Sequence, residues 1–146
     1  MSSPSGGGPR PAGYSGTPLP RKLGIKAGHE VAVIGGPAGF ADGLAALSGA
    51  SVTHGLPAAG QLDVIVTFVR WREDFEAQLP GLRERMAPAC GLWIAWPKRA
   101  ARVPTDMTEH VMREVALPTG LVDNKVCAID EVWTGMRLVI RRELRT

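Results

Sequence analysis

This sequence predicts an α/β domain of three layers, Rossmann-like, with a mainly parallel sheet of about six strands, and three observations carry that prediction. Short apolar runs at residues 31–34, 63–69 and 92–96 lack period-two alternation, as strands covered on both faces do. Segments with apolar residues at helical spacing separate them, so strand and helix alternate along the chain. The last two apolar runs, residues 126–129 and 136–140, are too close for a crossover and must pair as an antiparallel hairpin.

Composition allows one such domain. The 146 residues are 45% hydrophobic, enough to bury roughly two thirds of the unfolded surface. Seventeen Lys and Arg against 14 Asp and Glu leave a formal charge of +3, low for a dedicated nucleic-acid domain. Cys90 and Cys127 have no metal-ligand spacing, and no secretory signal precedes them, so reduced thiols in a cytoplasmic setting are expected. No run reaches the length of a membrane span. His29, His54 and His110 are far apart and lack Cys or His partners at ligand spacing, so no metal site is expected.

The elements follow in order. Residues 1–13, rich in Gly, Pro and Ser, cannot repay ordering entropy with burial and predict a disordered tail. In residues 14–27, Thr17-Pro18-Leu19 starts an arm or short helix whose Leu19, Leu23 and Ile25 can dock on a core. A single domain over residues 28–143 comes next, opening with the strand 31–34 before Gly35-Gly36-Pro37. Phe40, Leu44 and Leu47 form one helical stripe ended near Gly49, and residues 51–54 make a short strand. After the strand 63–69, Phe75, Leu79, Leu82 and Met86 recur at helical spacing, with Pro80 predicting a kink or two shorter helices. Cys90 falls in a turn before the strand 92–96, which Pro97 stops. A helix over residues 106–117 is entered through Thr105 or Asp106, and Asp123-Asn124-Lys125 organises the loop after it. The hairpin strands 126–129 and 136–140 are joined by a turn around Thr134-Gly135.

This order of elements resembles the Rossmann-like fold of class I S-adenosylmethionine-dependent methyltransferases, shortened at the front. The resemblance implies a glycine loop after the first strand and a carboxylate ending the second. The loop here is Gly35-Gly36-Pro37-Ala38-Gly39, with Val33 where the acidic residue stands and Pro37 in place of the middle glycine. Proline removes a backbone donor and adds a ring where bare backbone is needed. The second strand ends in His54, which lacks the two oxygens of a carboxylate. Asp63 resembles the Asp that opens a strand in many methyltransferases, and also reads as a turn residue. The expectation is therefore no bound cofactor, with S-adenosylmethionine as the alternative.

A second resemblance rests on ordered blocks: Gly13-Tyr14-Ser15-Gly16-Thr17-Pro18-Leu19, Trp93-Ile94-Ala95-Trp96-Pro97-Lys98, Thr105-Asp106-Met107-Thr108-Glu109, and Gly120 to Asp130 with Trp133. Together they resemble an uncharacterised bacterial family, a domain of unknown function. That likeness implies a bacterial origin and the domain limits, and no reaction.

Within these blocks Trp96, Lys98, Asp106 and Asp130 fall at the carboxyl ends of strands or just after, where a crevice is expected. Gly35 and Gly36 border it, and Thr17 with Lys22 either covers it as a lid or docks as an arm. Lys98, Arg99 and Arg102 form one basic cluster, and Arg137, Arg141, Arg142 and Arg145 another. The leading expectation is a small-ligand binding or regulatory module through that rim. A divergent methyltransferase is the alternative and nucleic-acid binding the third reading. A small molecule or a protein is the expected partner, without membrane or nucleic acid. No residue is assigned to catalysis, and the oligomeric state is open.

Overall fold

The computed structural model describes residues 17–145, so the expected tail 1–13 and Gly16 lie outside the described residues. The chain runs α1 (Leu19–Lys22), β1 (Glu30–Ile34), α2 (Phe40–Ser48), β2 (Ser51–His54), β3 (Leu62–Phe68), α3 (Arg72–Glu84), β4 (Met86–Pro97), α4 (Glu109–Ala116), β5 (Leu121–Ala128) and β6 (Trp133–Ile140). Six strands form one sheet in the order β2-β1-β3-β4-β6-β5. The first four are parallel, and β6 is antiparallel to both β4 and β5. This is the mainly parallel sheet with a terminal hairpin that the alternation predicts.

Two apolar layers flank the sheet, which is why its central strands show no alternation. One packs Ile65, Leu92, Ile94, Met136 and Leu138 against Phe75 and Leu79 of α3 and Met112 of α4. The other packs Val31, Val33, Val66 and Trp93 against Leu44 of α2 and Leu23 and Ile25 of the amino-terminal arm. The arm is anchored by backbone as well as by burial. The Trp93 indole Nε1 donates to the Leu23 carbonyl at 3.0 Å, deep in this layer. Lys22 Nζ donates to the Ala128 carbonyl at 3.2 Å.

Several boundaries differ from the sequence reading, each for a local reason. Leu47 lies 73% exposed, so the α2 stripe buries Leu44 fully and Phe40 only in part. The helix α3 is assigned as one element through Pro80, which is exposed, and the Glu76 carbonyl it leaves unbonded belongs to an exposed residue that water can reach. Met86 starts β4 instead of ending α3, and Cys90 is buried within that strand instead of standing in a turn. The β3–β4 register shifts between Leu62, paired with Met86, and Val64, paired with Gly91, an irregularity that takes up three extra residues of β4. Helix α4 begins three residues late because Thr108 caps it, its hydroxyl accepting from the Val111 N–H at 3.1 Å. Asp123-Asn124-Lys125 is strand with a register shift, not loop.

The hairpin turn is also displaced. Thr134 and Gly135 lie inside β6, and the chain reverses at Asp130, whose Oδ1 accepts from the N–H groups of Val132 and Trp133, both at 2.8 Å. Gly135 has a packing reason: a Cβ there would stand 3.0 Å from Ile129 and 3.2 Å from Trp93. Among the described residues no helix is long and apolar enough to cross a membrane.

Candidate ligand crevice

Parallel strands end together, so the loops after β1 and β3 and the turn before β6 meet at one edge of the sheet. They enclose a crevice of about 710 Å³. Gly36 and Pro37 come from the β1 loop, Phe68 and Trp71 from the end of β3 and the entry to α3, Asp74 and Gln78 from α3, and Asp130 and Trp133 from the hairpin. Gln78 is held by the buried Thr67, whose hydroxyl donates to its Oε1 at 2.8 Å. Asp130 is held by the two turn N–H groups described above. The Phe68 ring meets Phe40 and Trp133 edge-on, with centroids 5.0 and 5.1 Å away.

The glycine loop does not face open space. Gly36 has φ +94°, and a Cβ added there would lie 2.6 Å from the Phe68 ring. Its missing side chain therefore makes room for protein. On the far side of Pro37 a smaller cavity of about 310 Å³ is lined by Gly35, Phe40, Asp42 and His54. His54 Nε2 stands 3.3 Å from Asp42 Oδ1, and both side chains are largely exposed. Asp42, from α2, is the one carboxylate bordering this cavity, and neither β1 nor β2 supplies one.

The residues singled out from sequence are scattered. Gly36 and Asp130 line the large crevice, and Gly35 the small cavity. Trp96 and Lys98 line a separate cavity of about 670 Å³ with Arg99, Arg102 and Met107. Asp106 does not line it and does not stand across a mouth from Lys98: its Oδ1 accepts the Arg72 N–H at 2.7 Å, capping α3 from outside. Thr105 bonds the Arg70 carbonyl, and Arg70 Nε donates to the Pro104 carbonyl at 3.0 Å, so this segment is lashed to the α3 entrance. Lys22 borders a groove under the arm, and Thr17 lines none of these cavities. The expected rim of Trp96, Lys98, Asp106 and Asp130 is thus not a single site.

Sequence reasoning missed Phe68, Trp71, Asp74 and Trp133. The available signal was a tryptophan directly after a buried strand: Trp71 is 40% exposed at a carboxyl strand end, where an aromatic has little structural reason to be. Neither thiol is a ready nucleophile. Burial pushes the Cys90 thiol up to about 12, and burial also raises that of the half-buried Cys127. Among the described residues no three His, Cys, Asp or Glu side chains are grouped to hold a metal ion.

In class I methyltransferases, which the element order resembles, this edge of the sheet would take an S-adenosyl group, and the residues present fit such a group unequally. For the nucleoside half they are poor: Pro37 divides the two cavities, Phe68 fills the bare backbone of Gly36, and β2 offers an imidazole. For a sulfonium they are suitable. Phe68, Trp71 and Trp133 line a crevice with two carboxylates and one cation, Arg70, whose Nε donates to the Pro104 carbonyl and whose guanidinium, 5.3 Å from the Trp71 ring centroid, already takes one face of that ring.

No protein-family model matches the chain, and no curated protein resembles it in sequence. Solved structures do match its fold. An S-adenosylmethionine-dependent methyltransferase from Aquifex aeolicus superposes with a TM-score of 0.60 at 15% identity, covering 82% of this chain and 87% of that one. The ribosomal protein L11 methylase of Lactobacillus delbrueckii subsp. bulgaricus gives 0.57 at 12%, covering 85% and 75%. Magnesium protoporphyrin IX methyltransferase from Synechocystis PCC 6803, solved with bound S-adenosylhomocysteine, gives 0.58 at 12%, covering 78% and 74%. At such identities the likeness speaks for architecture, and the architecture is the Rossmann-like methyltransferase fold.

Proposed function

We propose that this chain is a divergent S-adenosylmethionine-dependent methyltransferase whose crevice over Phe68, Trp71 and Trp133 takes the cationic end of the donor. The observation that carries the reading is the lining itself: three aromatic rings and the carboxylates of Asp74 and Asp130, at the strand ends where open α/β sheets receive ligands. When bound, the donor supplies a methyl group on positively charged sulfur. The rings attract a cation through their quadrupoles, and Asp130, fixed by two backbone N–H groups, adds a negative charge that cannot swing away. Affinity in this scheme comes from the crevice, not from the β1 loop.

Calorimetry with S-adenosylmethionine and S-adenosylhomocysteine tests it. A cation site predicts that the sulfonium compound binds about tenfold tighter than the neutral thioether, and that Trp71→Ala and Asp130→Asn each remove most of that preference. Absence of binding by either compound at millimolar concentration refutes the reading. A second reading, a small-ligand binding or regulatory module without group transfer, is favoured by the Phe68 ring seated on Gly36. It predicts no adenosyl binding and a different small molecule retained in native mass spectrometry.

A further inference from the structure

Away from the crevice, a groove of about 270 Å³ lies where the arm crosses the β5–β6 hairpin. Its lining brings together Arg21 and Lys22 of α1, Lys125 of β5 and Arg137 of β6, with Asn124 and Gly24, and no Asp or Glu. Among the described residues none of these four cations takes part in a salt bridge. Four like charges in one small groove repel one another, and an anion from outside would relieve that repulsion.

The charges are also positioned. Lys125 Nζ donates to the Lys22 carbonyl at 3.0 Å while Lys22 Nζ donates to the Ala128 carbonyl, so each ammonium is aimed by one bond and keeps further donors. Arg137 is half-buried and lies over Gly91, where a Cβ would approach its Nε to 2.6 Å. The glycine gives the guanidinium its place. Burial, and to a smaller extent the neighbouring Arg145, weaken its hold on the proton, with Cys90 acting in the opposite direction.

We propose that this groove binds the phosphoryl group of a small phosphorylated molecule, with Arg137 and Lys125 as its principal contacts. Two features favour a small molecule over a nucleic-acid strand: the groove is small, about 270 Å³, and its lining holds no aromatic ring for base stacking. The assignment stands independently of the crevice reading.

The test uses the full chain and inorganic pyrophosphate as probe, measured by calorimetry at low salt, with a 12-nucleotide single-stranded RNA in parallel. Pyrophosphate binding that falls about tenfold in Arg137→Gln and in Lys125→Gln supports the site. Gly91→Ala is the second arm, because it displaces the guanidinium without altering net charge; it too must weaken binding while thermal unfolding without probe stays near that of the parent. No pyrophosphate binding, or binding that ignores all three substitutions, overturns the proposal. RNA binding more than tenfold tighter than pyrophosphate, with a steep salt dependence, overturns the small-molecule assignment.

Discussion

Gly36→Ala separates two meanings of the glycine loop. A loop kept bare for a ligand would lose binding on this change and, beyond the backbone strain, little stability; a loop kept bare for Phe68 would lose clearly more. The structure supports the second. An L-residue held at φ +94° costs roughly 1–2 kcal/mol against glycine. The new methyl, 2.6 and 2.7 Å from two ring carbons, must push aside a ring wedged between Phe40 and Trp133, an overpacking cost of roughly 1–3 kcal/mol. The expected loss is therefore about 2–5 kcal/mol, a large part of a typical domain's stability. Urea unfolding followed by tryptophan fluorescence measures it, with an unchanged slope confirming that the native state is what moved. The double mutant is the sharper assay. In a Phe68→Ala background the clash is gone, so Gly36→Ala should cost only about 1–2 kcal/mol there, and the cycle should be non-additive by the difference. A loss below about 0.5 kcal/mol, or strict additivity, refutes the claim that the ring rests on the loop and reopens the loop to adenosine.

Three other outcomes follow from single contacts. Trp93→Phe removes the indole N–H and part of the ring from a fully buried site, leaving the Leu23 carbonyl without its donor beside a small cavity, so chemical denaturation should show a loss of about 1–3 kcal/mol. Asp106→Ala and Thr108→Ala each remove a carboxylate or hydroxyl that satisfies a helix N–H, and each should cost about 1 kcal/mol in the same assay; Asp106→Ala should leave pyrophosphate binding unchanged. The Cys90 thiol, raised from 9.0 to about 12, is favoured as the neutral form in the folded protein, so its contribution is complete below pH 9 and is lost as pH climbs towards 12. Near pH 10 the loss is about 1.4 kcal/mol, and it should disappear in Cys90→Ala when denaturation midpoints are compared across that range.

What the sequence made legible was whatever depends on neighbours along the chain. The apolar run of residues 64–69, broken only by Thr67, reads as a twice-covered strand because its burial is set by period alone, and alternation with amphipathic segments dictates a parallel sheet. The glycines show where this reasoning stops. Gly135 looks like a turn residue and is a mid-strand position shaved to fit Trp93 and Ile129, a partnership set by the β4–β6 register. Gly36 looks like a ligand-facing position and is shaped by Phe68, two strands away in the sequence but adjacent across the parallel β1–β3 pair. Asp106 reads as a cap for its own helix more readily than as a crevice ligand, and instead caps the helix before it. In each case the residue type was read correctly as special, and its partner was supplied by tertiary contact that local pattern does not encode. The same logic explains the crevice: Trp71, Asp74, Asp130 and Trp133 come from two separate parts of the chain and meet only because parallel strands end at one edge while β6 enters from it. A motif search for one contiguous cofactor loop therefore finds a damaged signature, whereas the sheet order places rings and carboxylates beside it.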